Sequence, residues 1–218
     1  MLRLMKKFSL WYLLYPCFLI AFAIPMFNHD RLTGPDPLDL SFAVYLAPMI
    51  WLVLGAMWSH EQMENKSHGY AFLRILPIEP GLIVKAKFAL VFIAVAIYAG
   101  GCCAAFALVS TSPDYLIPSC GYIIVHGSIC LVAAALLYVG IFRHGFSRFG
   151  KYVLIAWVIL LVSPIPVRLF ILKPRGISDA EIMQFMRGPY WILGTAVCLV
   201  AYCFLMRLAA RKLSEKYA

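Results

Sequence analysis

Charge is scarce in this chain. Asp, Glu, Lys and Arg make up 13% of its 218 residues and only ten residues are acidic, against about 25% charged in a soluble domain. Hydrophobic residues make up 63%, which excludes folding around one water-soluble core. The longest polar stretch, His60–Lys87, is too short for a second domain. Internal repeats and low-complexity tracts are lacking. None of the seven cysteines (Cys17, Cys102, Cys103, Cys120, Cys130, Cys198, Cys203) stands in a C-x-x-C pair, so no metal site is expected. Neighbours such as Cys102 and Cys103 are poorly placed to bond to each other. These thiols are expected to pack as small hydrophobes.

What the chain does have is apolar length. A bilayer core of about 30 Å is crossed by about 20 apolar residues in helix, and only helices or closed barrels satisfy their backbone there. Six stretches qualify, at about 8–27, 40–59, 88–109, 116–142, 152–172 and 189–206. They predict an all-α integral membrane protein whose residues 1–218 form one transmembrane domain. Phe8–Phe27 follows Arg3, Lys6 and Lys7 as a signal peptide would, but exceeds the usual apolar core of about 7–15 residues and is expected to remain as a span.

The net charge of +9 is unevenly placed. In the six-span layout Arg3, Lys6, Lys7, Lys66, Arg74, Lys85, Lys87, Arg143, Arg148, Lys151, Arg207, Arg211, Lys212 and Lys216 fall on one side. That is fourteen of the nineteen basic residues; Arg31, Arg168, Lys173, Arg175 and Arg187 fall on the other. Basic loops stay cytoplasmic, so both termini are expected in the cytoplasm. The positive charge is read as headgroup anchoring, with membrane lipids rather than nucleic acid as its partner.

Several chemical motifs fail on inspection. Gly145-Phe-Ser-Arg-Phe-Gly150-Lys151 matches part of a P-loop, but Tyr152 stands where the magnesium-binding hydroxyl belongs. His60-Glu61-Gln62-Met63-Glu64 lacks the second histidine of a zinc protease. Ser147 lies in the basic turn, and Ser128 near His126 is too little for an intramembrane protease. No catalytic site is expected. His126, inside the fourth span, is a candidate substrate or proton site, or else a neutral packing histidine. Gly100-x-x-x-Ala104 and Gly101-x-x-x-Ala105 are expected to let a helix approach closely, and Pro164 and Pro166 to interrupt the fifth span. Ser178-Asp-Ala-Glu181 reads as a capping box opening a short outer helix before the sixth span.

The richest segment joins spans two and three. After Glu61 and Glu64, Asn65-Lys66-Ser67 are helix-start residues. Gly69–Leu76 gives about two helical turns, which Pro77 ends. Tyr70, Leu73 and Leu76 share a face; Phe72 and Ile75 line the next one. Glu79-Pro80 then reads as the cap and first residue of a helix continuing through Lys85 and Lys87. A short apolar helix so placed either rests on lipid headgroups or docks into a cleft on a soluble partner.

The run E-x-x-E-x-K-x-x-G-Y-x-F-L-x-x-L-P-I from Glu61, followed by E-P-x-x-I-V-x-A-K from Glu79, resembles the coupling segment of type-2 ATP-binding-cassette export permeases. The likeness is sharpest over about thirty residues and extends loosely, through the six-span layout and outer helix, over the chain. It lacks the large outer domain some members carry. The resemblance implies a permease subunit in the bacterial cytoplasmic (inner) membrane. It would pair with a second permease copy or homologue and dock on a separate P-loop ATPase subunit that binds ATP and Mg. Glu61, Glu64, Lys66, Gly69, Tyr70, Phe72, Leu73, Leu76 and Pro77 would form the ATPase-coupling site, and this chain would carry no cofactor. The aromatic and small residues of the spans fit a hydrophobic or amphipathic substrate (lipid-like molecule, peptide or drug). The alternative is a non-transport polytopic membrane protein docking a cytoplasmic partner through the same helix.

Overall fold

The computed structural model describes residues 49–50, 53–54, 56–66, 79–109, 113–162, 181 and 188–217. They form five helices: α1 (Ala56–Lys66), α2 (Pro80–Val109), α3 (Pro113–His144), α4 (Phe146–Val162) and α5 (Tyr190–Tyr217). Among the described residues three stretches are long and apolar enough to cross a membrane: Pro80–Ala105, Leu116–His144 and Tyr190–Glu215. The first expected span, most of the second, the Gly69–Leu76 helix, Pro164, Pro166 and most of the outer helix lie outside the described residues.

α2 begins at Pro80, where the sequence places its first residue. Proline has no N–H to leave unpaired and its fixed φ suits a first turn; the Leu82 N–H bonds the Glu79 carbonyl at 2.9 Å. At 30 residues the helix is about 45 Å long, longer than a bilayer core. Its buried face runs Val84, Lys87, Phe88, Val91, Ala94, Val95, Tyr98, Cys102, Ala105, the spacing of one helical stripe.

Side-chain contacts give the helix directions. Val95 and Met49 both lie against Gly127, and Phe88 meets Tyr138 with ring centroids 5.5 Å apart. α2 is therefore antiparallel to α3, and the chain from Met49 into α1 runs with α3. Trp191 lies over Gly121, where an added Cβ would be 3.1 Å from the indole, while Tyr202 meets Phe88 at 5.1 Å; α5 thus also runs with α3. Directions therefore alternate from α1 to α5. Every Lys and Arg among the described residues falls at one end of the bundle, where α1, α3 and α5 end and α2 and α4 begin.

Close approach differs from the expectation at one of the two small-residue pairs. Gly100 and Ala104 are exposed, and a Cβ on Gly100 would meet nothing; Ala105 is buried. The tight contacts are made by glycines of α3, at Gly121, Gly127 and Gly140. The face outside the core is apolar: Phe92, Leu108, Leu136, Ile159, Leu193, Val200 and Phe204 are all exposed.

Candidate functional site

At the basic end of the bundle lies a buried cluster of charge. α1 continues through Glu61 and Glu64 to Lys66 rather than stopping near Ser59. Asn65 and Lys66 therefore lie in the last turn of this helix. Glu61 and Glu64 are one turn apart and share a face, and both point into the core: Glu61 is 0% exposed and Glu64 7%.

Their partner is Lys87 of α2, 4% exposed. Its Nζ donates to Glu61 Oε1 and, at 2.7 Å, to Glu64 Oε2. The sequence placed Lys87 with the headgroup-facing basic residues, and the structure corrects that. A buried ammonium must be matched by charge and hydrogen bonds, and two carboxylates do so here. The aromatic rings of Tyr138 and Phe142 flank it, with centroids 5.9 and 5.6 Å from Nζ, within cation–π range.

Four helices meet through this cluster. α1 supplies the acids, α2 the ammonium and α3 the two rings. α5 joins through Tyr202, whose hydroxyl donates to the Phe88 carbonyl at 2.6 Å beside a ring stack with Phe88. α4 is fixed nearby by the edge-on contact of Phe146 with Trp58, 5.2 Å between centroids. The cluster joins the last two turns of α1 to the first turns of α2. Of the coupling residues expected from the sequence, Glu61 and Glu64 are in the cluster and Lys66 is exposed at the end of α1. Gly69, Tyr70, Phe72, Leu73, Leu76 and Pro77 lie outside the described residues.

Two other candidates have local partners. His126 donates from Nδ1 to the Tyr122 carbonyl at 3.2 Å, and its ring lies 4.3 Å from that of Tyr122, as a packing histidine does. The P-loop-like run is the turn between α3 and α4. Gly145 takes φ of 83°, which favours glycine. Gly150 is buried against Phe146, and Lys151 Nζ sits 5.3 Å from the Tyr152 ring centroid. Aromatic packing shapes this turn, and no phosphate cradle forms. Among the described residues no group of three His, Cys, Asp or Glu could hold a metal ion.

Comparison with known protein families gives a match to the ABC-2 family transporter protein model over residues 2–211. Comparisons with curated proteins and with solved structures give no match. The chain belongs to the ABC-2 transporter family and is a membrane-embedded permease subunit of an ABC transporter.

Proposed function

We propose that this ABC-2 permease couples ATP hydrolysis on a separate P-loop ATPase to export of a hydrophobic or amphipathic substrate. The observation that carries the reading is the Lys87 cluster. Buried ion pairs tie Glu61 and Glu64 in the last turns of α1 to Lys87 in the first turns of α2, so α1 and α2 are coupled to each other on either side of the expected docking segment. A docking helix must be held in this way to transmit motion: moving an equilibrium from 1:99 to 99:1 takes about 5.5 kcal/mol of differential binding. Tyr70, Phe72, Leu73 and Leu76 form the docking face, and Gly69 and Pro77 set its limits. Glu61 and Glu64 act from inside the bundle by positioning it, while Lys66 stays at the surface. ATP and Mg bind the ATPase, and this chain does no chemistry of its own. It sits in the bacterial inner membrane with both termini cytoplasmic and pairs with a second permease.

The test is purification of the tagged protein in mild detergent from its native membrane. A stoichiometric P-loop ATPase is expected, its activity stimulated by the wild-type permease and no longer stimulated by Leu73→Asp, which inserts normally. Wild-type stimulation by a well-inserted Leu73→Asp protein defeats the coupling assignment.

A further inference from the structure

For packing alone, a phenylalanine would serve at Tyr202. The ring lies 5.1 Å from that of Phe88 and 6.5 Å from that of Phe92, and the residue is 6% exposed. The phenol adds a buried hydroxyl that needs a partner, and it has one: it donates to the Phe88 carbonyl at 2.6 Å. Ring contacts tolerate small slides of one helix along another, whereas a hydrogen bond is directional and weakens steeply when misaligned. The acceptor belongs to the residue next to Lys87. The carboxylates of α1, the ammonium and neighbouring carbonyl of α2, and the hydroxyl of α5 thus form one series of polar contacts. Rings repeat the path: Phe142 stacks on Tyr138 at 5.6 Å, and Tyr138 meets Phe88 at 5.5 Å. About two turns farther from the basic end, on the same side of α5, the Thr195 hydroxyl is buried with no hydrogen-bond partner.

We infer that Tyr202 is a positioning residue for coupling: through its bond to the Phe88 carbonyl, α5 follows displacements of the start of α2. The assignment rests on the ATPase-docking reading above and names the helix that receives the motion. Lys87 binds α2 to α1, and one residue later Phe88 binds α2 to α5, so a displacement at this level reaches the last helix without crossing a purely apolar contact. The shift is taken up around Thr195. Sliding at Tyr202 would break a hydrogen bond, while the Thr195 hydroxyl has none to lose. Little core holds α5 back there: 17% of its span is buried, against 50% in each of α2 and α3, and Leu193, Val197 and Val200 are exposed.

The test is hydrogen–deuterium exchange, read by mass spectrometry, on the full permease purified with its ATPase, with and without ATP plus vanadate. In wild type, ATP is expected to change exchange both at the start of α2, residues 80–90, and in α5, residues 190–200. Tyr202→Phe keeps the ring; it is expected to retain the α2 change and lose the α5 change. Its stimulated ATPase kcat is expected to fall about three- to fivefold, the equivalent of one hydrogen bond between membrane helices, with KM for ATP unchanged. A merely structural tyrosine gives another result: exchange in α5 rises equally with and without ATP, and the ATP-dependent difference survives Tyr202→Phe. That result, or a wild type in which ATP changes α2 but not α5, overturns the role of Tyr202 and leaves docking standing. A wild type in which ATP changes neither helix defeats the docking reading and this role with it.

Discussion

The hydroxyl of Tyr202 donates to the backbone carbonyl of Phe88 at 2.6 Å across 114 residues of chain. This bond fastens the last helix to the first turns of α2, one residue beyond Lys87. The carbonyl it reaches already belongs to a helix, so Tyr202 adds a contact without opening the α2 ladder.

Replacing Tyr202 by Phe removes that bond and keeps the ring packed on Phe88. The loss is expected to be about 0.6–1 kcal/mol, visible as a small fall in the unfolding midpoint in detergent. Tyr202→Ala also removes the ring and is expected to cost about 3–5 kcal/mol. Equal stability of both variants and wild type would show that α5 is not held here.

Lys87→Met leaves two carboxylates facing each other in the core. Breaking a buried ion pair on one side costs about 3–5 kcal/mol, and the variant is expected to unfold early and lose ATPase stimulation. Adding Glu61→Gln and Glu64→Gln removes the uncompensated charge and should recover most of the stability. A single Lys87→Met as stable as wild type would contradict the burial of this group.

Gly140 lies directly beneath the ring of Phe149, closer than a Cβ could tolerate. Gly140→Ala must push that ring off its seat and is expected to cost about 1–3 kcal/mol, read as earlier proteolysis at the α3–α4 turn. Pairing it with Phe149→Leu should recover part of the loss, because the smaller side chain leaves room. An unchanged Gly140→Ala cleavage rate would mean that the ring moves without cost.

The start of α2 was legible because Glu79-Pro80 is a local signal: the cap and the missing N–H act within one turn. The apolar length of α2 and α3 was legible too, because it needs only a count along the chain. The fate of Lys87 was not. A basic residue at the edge of an apolar run ordinarily sits among headgroups, and its partners lie 23 and 26 residues back in a second helix. The E-x-x-E spacing at Glu61 and Glu64 was the available clue, since it puts two acids on one face. It was assigned outward because the apparent span ended at Ser59. Gly100-x-x-x-Ala104 misled in the opposite way: small residues permit close approach but do not say which neighbour uses it. Trp191, Val95 and Phe149 chose glycines of α3 instead.

The Lys87 cluster also bears on biogenesis. Synthesis delivers Glu61 and Glu64 before Lys87, and each alone would leave an unmatched charge buried among apolar helices. Paired, the three groups largely offset one another. The hairpin of α1 and α2 is therefore suited to leave the insertion machinery as one unit, with the two helices matched before either settles among lipids.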